Sequence, residues 1–341
     1  MHASGQMLDE RYRIETVLGS GGMGSVYLAT DLEENQQVAI KEMHAAYAGD
    51  EQGMRQLRHE ALVLTQLDHP LLPKVYDYFE MDNIPHLVME YIKGRNLSTV
   101  VGQEEDPLPV PMVLKWAAEL CDVLQYLHTH NPPVVFRDVK PGNIMLGVDG
   151  HIKLVDFGIS KLFEGGHAAT ATFARGATSP GYTALEQYSG GTDARSDIYS
   201  LGATLYAILA YQIPPDALQR AAELVRMTPL RKLRPDVPEP LAHAIESMLE
   251  VKAADRPESI AEVRQILGLA PVPKASETDT APIDHVPMMA APRRSWIPLV
   301  TVVAAGLVLI AAWLWLHRPP APTPHPPIPS PHLSAKRTHA H

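Results

Sequence analysis

Residues 134–146 read VVFRDVKPGNIML, and after five more residues 152–158 read IKLVDFG. Asp138 and Asn143 stand five apart on a loop between apolar stretches, Lys140 lies between them, and Asp156 closes the next apolar run. Magnesium, a hard cation, takes oxygen ligands and keeps several waters, so one carboxylate and one amide oxygen are enough to hold it on a nucleotide. The second carboxylate is then available to orient a hydroxyl nucleophile. The Lys140 ammonium sits where a transferring phosphoryl group is negative. Each residue alone reads as an ordinary polar group; four of them at set spacing amid buried strands ask for a joint explanation.

Working outward toward the N-terminus, residues 14–27, IETVLGSGGMGSVY, place Gly19, Gly21 and Gly24 between β-branched runs, which predicts strand, glycine-rich turn, strand. Without Cβ atoms the backbone N–H groups can approach a phosphate chain, although a plain flexible turn satisfies the same spacing. Residues 38–41, VAIK, form a short apolar strand ending in an ammonium that can pair with phosphate oxygens. Residues 54–67 carry helical spacing in Leu57, Ala61 and Leu64. Glu60 on that helix is able to hold Lys41, or to be a solvated surface glutamate.

Taken in order, these runs resemble the signature set of the eukaryotic-like (Hanks-type) bacterial serine/threonine protein kinases, over residues 11–269. The resemblance implies that Gly19, Gly21 and Gly24 cover the phosphates of ATP, with Leu18, Ser20, Gly22, Met23, Val26 and Ala39 completing the nucleotide site. It implies that Lys41 holds the α- and β-phosphates with Glu60 as its ion-pair partner, and that a hinge at residues 89–92 seats adenine through backbone contacts from Glu90 and Ile92. Asp138 then handles the acceptor proton, Lys140 stabilises the transferring phosphate, and Asn143 and Asp156 bind Mg2+, with Mn2+ as the alternative metal. Phe157 and Gly158 complete the DFG landmark. Later landmarks follow the same order: Ala184, Leu185 and Glu186 stand where the family has Ala-Pro-Glu, Asp197 resembles the aspartate that anchors the catalytic loop, and Arg256 resembles the arginine paired with Glu186. Two positions depart from the pattern. Phe136 replaces a histidine, preserving aromatic packing, and Leu185 replaces a proline, loosening a φ constraint.

Between Asp156 and Glu186 lie the hydroxyls of Ser160, Thr170, Thr172, Thr178 and Ser179, and Arg137 directly precedes Asp138. A phosphate on that segment would gain a charge-assisted contact to Arg137 and order it. Thr170 and Thr172 are the candidate autophosphorylation sites, with Thr178 and Ser179 nearer the substrate-docking loop.

The rest of the chain is organised around one apolar stretch. Residues 296–316, WIPLVTVVAAGLVLIAAWLWL, are 21 uncharged residues that span about 32 Å as a helix, with Trp296, Trp313 and Trp315 toward its ends. Residues 270–295 read as a Pro-rich tether and 317–341 as a Pro/His-rich tail whose irregular histidines make no preformed metal site. The first fifteen residues lack the apolar core of a signal peptide, which predicts a cytoplasmic N-terminal body and a C-terminal tail outside the cell membrane. Residues 198–211, only 14 long, read as a buried helix of the soluble body.

The chain carries 29 basic and 39 acidic residues; residues 1–268 hold 23 and 36 of them, a net −13, which excludes nucleic acid as a general partner. One cysteine, Cys121, closes no intrachain disulfide and lies in an apolar-periodic run that predicts burial. The expected fold is α+β and two-lobed: a 1–10 tail, a β-rich lobe over about 11–92, a helical lobe over about 93–269, then the tether and one transmembrane helix. Protein Ser/Thr hydroxyls are the expected substrates, and the resemblance alone suggests a homodimer. The rivals are a membrane-tethered pseudokinase scaffold and a small-molecule phosphotransferase of related fold. A chain lacking residues 296–341 is expected in the soluble fraction after cell fractionation, where the full chain sediments with membranes; a truncated chain that still sediments with them refutes the anchor.

Overall fold

Extended strands, whose side chains leave on alternate faces, build the first lobe. The structure, a computed structural model, describes residues 2–21, 24–43, 64–82, 84–104, 106–156 and 178–270. The expected helix over 54–63 with Glu60, Gly22 and Met23 of the turn, Phe157, Gly158, Thr170, Thr172, and the tether, membrane span and tail from 271 onward lie outside the described residues. Among the described residues no helix is long and apolar enough to cross a membrane.

Six strands, β1 (Met7–Leu8), β2 (Tyr12–Gly21), β3 (Gly24–Asp31), β4 (Gln36–Met43), β5 (Val75–Met81) and β6 (Ile84–Glu90), form an antiparallel sheet in the order β1-β2-β3-β4-β6-β5. Successive side chains leave a strand on opposite faces. On β4, Val38 and Ile40 therefore join Leu8, Tyr12, Ile14, Tyr27 and Phe79 in one small core, while Ala39 and Lys41 line the opposite face. Gly24, at φ +137°, lets β3 and β4 close up, because a Cβ there would stand 1.9 Å from the Glu42 carbonyl oxygen.

The first ten residues differ from the expected tail. Leu8 is fully buried, Met7 and Leu8 pair with Arg13 and Tyr12, and Gly5 N–H donates to Ile14 carbonyl at 2.8 Å, so this segment is the edge of the sheet. Burying one leucine and closing a strand edge outweighs the freedom of a short polar arm.

The second lobe starts with β7 (Gly94–Asn96), α1 (Leu97–Gln103) and α2 (Val110–Thr129). Asn96 caps α1, its side-chain oxygen accepting from Thr99 N–H at 2.8 Å. On α2 the apolar positions Val113, Trp116, Ala117, Leu120, Cys121, Leu124 and Leu127 recur at helical spacing and are all buried. Burial pushes the Cys121 thiol pKa up to about 12, which leaves it an inert core residue. β8 (Ile144–Gly147) and β9 (Ile152–Leu154) pair with β7 in a small sheet.

The centre of the lobe is α3 (Ala194–Ala210), buried from Ser196 to Leu209 and packed on α2 and on α6 (Glu239–Met248). Short helices α4 (Ala217–Ala221), α5 (Leu230–Leu233) and α7 (Ile260–Ile266) complete it. Gly202 permits the close approach of α3 and α6: a Cβ there would meet Met248 Cβ at 2.7 Å. Gly202→Ala should therefore destabilise by about 1–3 kcal/mol despite its better helix propensity. The melting temperature should fall by about 2–4 °C per kcal/mol for a domain of this size. An unchanged or raised value by circular dichroism would refute this packing.

Candidate active site

Residues 134–136 form no ladder, although their apolar character predicts a strand leading into the loop. Their backbone donors are drawn elsewhere: Val134 N–H donates to Leu127 carbonyl at 2.9 Å, and Phe136 and Arg137 N–H donate to the two oxygens of Asp197 at 2.8 and 2.6 Å. Asp197 is fully buried in the first turn of α3, where the helix N-terminus favours an anion, and His128 Nε2 lies 2.8 Å from its Oδ2. Thr204 of α3 donates to Val139 carbonyl at 3.1 Å, and Gln187 donates to Arg137 carbonyl at 3.0 Å. These bonds hold Arg137 at φ +70°, a conformation that costs a non-glycine residue on the order of 1 kcal/mol.

The loop so fixed delivers Asp138, Lys140 and Asn143 together. Asn143 Nδ2 donates to Asp138 carbonyl and to its Oδ2, both at 2.9 Å, which leaves the amide oxygen as the atom Asn143 can offer a cation. Lys140 Nζ stands 2.8 Å from Asp138 Oδ2 and donates to Ser179 Oγ at 2.8 Å, while the Ser179 hydroxyl donates to Asp138 Oδ1 at 3.0 Å. Lys41, 5% exposed on β4, pairs with Asp156, which is held at φ +66° just past β9. An amide oxygen and a carboxylate are hard donors, so Asn143 and Asp156 fit a magnesium ion carrying its own waters.

A cleft of about 450 Å3 opens beside this cluster, lined by Leu18, Gly19, Val26, Ala39, Lys41, Glu90, Ile92, Asn143 and Asp156 from the expected set. Ser20, Gly21 and Gly24 form the tip of the β2–β3 hairpin and do not line it. At the hinge, Glu90 N–H already donates to Lys74 carbonyl at 2.8 Å, so it is no donor to a ligand, while Met89, Glu90, Tyr91 and Ile92 all line the cleft. Away from the cleft, Arg256 makes a two-pronged pair with Glu186 at 2.7 and 3.0 Å, and Ser196 donates to Glu186 at 2.8 Å. Burial alone would raise the Glu186 pKa; the Arg256 and Ser196 hydrogen bonds outweigh it and hold the carboxyl below the usual range. Phe136 is 2% exposed, packed as an apolar core residue.

Two features escape the sequence reading. Ser179 reads as a phosphosite candidate beside Thr178, but its hydroxyl is engaged by Asp138 and Lys140, a placement that only the return of the chain 41 residues later creates. Met145, on β8, lines the cleft; its place after the Asp138–Asn143 loop was the available signal.

A family model described as "Protein kinase domain" matches residues 12–267. "Serine/threonine-protein kinase PknB" of Mycolicibacterium smegmatis is 35% identical over 303 residues, which cover 84% of this chain and 47% of that protein. "Serine/threonine-protein kinase PrkC" of Bacillus subtilis is 36% identical over 214 residues, 62% of this chain and 32% of that one. The chain thus spans less than half the length of these curated relatives. The crystal structure of the Mycobacterium tuberculosis PknI kinase domain is similar with a TM-score of 0.63 at 28% identity, covering 79% of this chain and 99% of that one.

Asp197→Asn tests the anchor of the loop, since an amide has one oxygen to accept with and cannot satisfy both N–H groups. It should cost about 1–3 kcal/mol and raise hydrogen exchange at the amide of Phe136 or Arg137. Unchanged protection at both amides would refute the anchoring role.

Proposed function

The chain belongs to the protein kinase domain family, and on that premise we propose that it is a serine/threonine protein kinase, transferring the γ-phosphoryl group of ATP to protein Ser and Thr hydroxyls, its own included. The observation that supports this most directly is the convergence of Asp138, Lys140 and Ser179 beside a cleft that also presents Lys41, Asn143 and Asp156. When bound, Mg-ATP supplies the transferable group and the divalent charge that neutralises its oxygens.

The chain's own groups then do the rest by position and charge. Leu18, Val26 and Ala39 on one side and Met145 on the other form apolar walls suited to a flat heterocycle. Lys41 offsets phosphate charge, and Asn143 and Asp156 offer the metal donors. Asp138 orients the acceptor hydroxyl and receives its proton, Lys140 offsets the charge on the oxygens in transfer, and Ser179 keeps these two side chains in one geometry. Names of relatives such as PknB and PrkC support the Ser/Thr acceptor class. A scaffold without chemistry is not favoured, because none of Lys41, Asp138, Asn143 and Asp156 is replaced.

The same reading takes residues 296–316 as a single membrane span, with the kinase domain on the cytoplasmic side and the Pro/His-rich tail outside; the uncharged 21-residue stretch supports it. Protein substrates are the proposed partners, and a homodimer is carried over from the resemblance.

The test uses the full-length chain in detergent with Mg-ATP, its phosphosites mapped by mass spectrometry beside Asp138→Asn. Phosphate on Ser or Thr between residues 156 and 186 is expected in the parent, with incorporation down about 100-fold or more in the variant. ATP binding with no phosphate on either protein would establish the scaffold instead, and phosphotyrosine would overturn the acceptor class.

A further inference from the structure

On the face of the sheet opposite the cleft, three ligand groups converge that no part of the nucleotide chemistry uses. Glu42 follows Lys41 on β4 and so points to the other face, where it stands directly across the ladder from His86 of β6. The N-terminal arm lays His2 over the same spot, with His2 N–H donating to the Tyr27 hydroxyl at 3.2 Å. Glu42 Oε2 lies 2.5 Å from His2 Nε2 and 3.7 Å from His86 Nε2. The three atoms fall within 4.8 Å of one another.

His86 is only 1% exposed and stacks on Phe79 with ring centroids 4.8 Å apart. Its Nδ1 lies 2.9 Å from the Ile84 carbonyl oxygen, which can only accept. The proton therefore sits on Nδ1, and the lone pair is on Nε2, an atom with no hydrogen-bond partner among the described residues. A carbonyl on the far nitrogen is the usual device for orienting a metal-bound imidazole.

We propose that His2, Glu42 and His86 bind one divalent transition-metal ion of the Zn2+ class, which ties the N-terminal arm to the β4–β6 ladder behind Lys41. Two imidazoles are borderline nitrogen donors, and with a single carboxylate beside them the set suits Zn2+ over the oxygen-seeking Mg2+ and Ca2+. Bonds of 2.0–2.2 Å to a tetrahedral ion place its ligands about 3.4 Å apart, so only small side-chain shifts separate the observed cluster from a bound one. His2 and Glu42 side chains are 17% and 16% exposed, which leaves a fourth position open to water.

The test uses the full-length chain, stripped by chelator, with the tail histidines His317, His325, His332, His339 and His341 changed to Asn so that the Pro/His-rich tail binds no metal. Titration of Zn2+ against a chromophoric chelator should show one tight equivalent, and zinc should raise the melting temperature. In the same background His2→Ala, which touches only the arm, and Glu42→Gln should each weaken Zn2+ at least tenfold and abolish the visible absorption of the Co2+-loaded protein. Metal-free melting temperatures report whether the variants are folded. Equal zinc affinity in parent and both variants, or binding only at millimolar zinc, would overturn the site and leave a simple His2–Glu42 ion pair.

Discussion

A carboxylate with no solvent at all, that of Asp197, sets the geometry on which the active site depends. Removing such a charge from water is costly unless donors surround it, and here two backbone N–H groups, the nearby His128 ring and the first turn of α3 do so. The same bonds keep the backbone of residues 136–137 in an irregular loop rather than a strand. Arg137 is thereby kept at a positive φ, and Asp138 leaves the loop toward Asn143, Lys140 and Ser179. Helix α3 supplies this anchor because it is buried along almost its whole length, so its position is fixed by the core and passed to the loop.

A second fixed point lies away from the cleft. The Arg256 guanidinium gives all its reach to Glu186, three carbonyl oxygens and the face of Tyr199, so it is a satisfied buried cation and a rigid one. Through Glu186 it holds the turn at residues 185–189, and Gln187 on that turn reaches Arg137 carbonyl. Two buried ion networks thus approach the catalytic loop from different elements, and the loop's shape follows from both.

What could be read from the sequence followed chain distance. Asp138, Lys140 and Asn143 sit within six residues, so their spacing alone carries the chemistry, and the alternation over 38–41 places Lys41 on a strand face. The buried helix over 198–211 was legible from its unbroken apolar run, with α3 starting four residues earlier because Asp193 caps it. Residues 134–136 misled, because an apolar run does not say whether its N–H groups meet a strand or a carboxylate about 60 residues away. The first ten residues misled for the same reason, and the contacts of Ser179 were out of reach: a leucine that finds the sheet edge, and a hydroxyl that returns to Asp138, are decided by topology. The His2–Glu42–His86 cluster joins residues up to 84 positions apart, and no spacing rule reaches that far.

The alternation of β4 has one more consequence, for where this chain can gain or lose residues. A single-residue insertion or deletion inside the strand would slip its register and exchange the faces of Lys41 and Glu42. The cleft would then receive a carboxylate in place of an ammonium, repelling any phosphate, while the lysine would land beside the Phe79–His86 ring stack. The turn at residues 32–35 that precedes β4 carries no such burden, since length added there shifts nothing downstream of Gln36. Length variation in this sheet is therefore confined to its turns, and the sign of charge in the cleft is written in the parity of one strand.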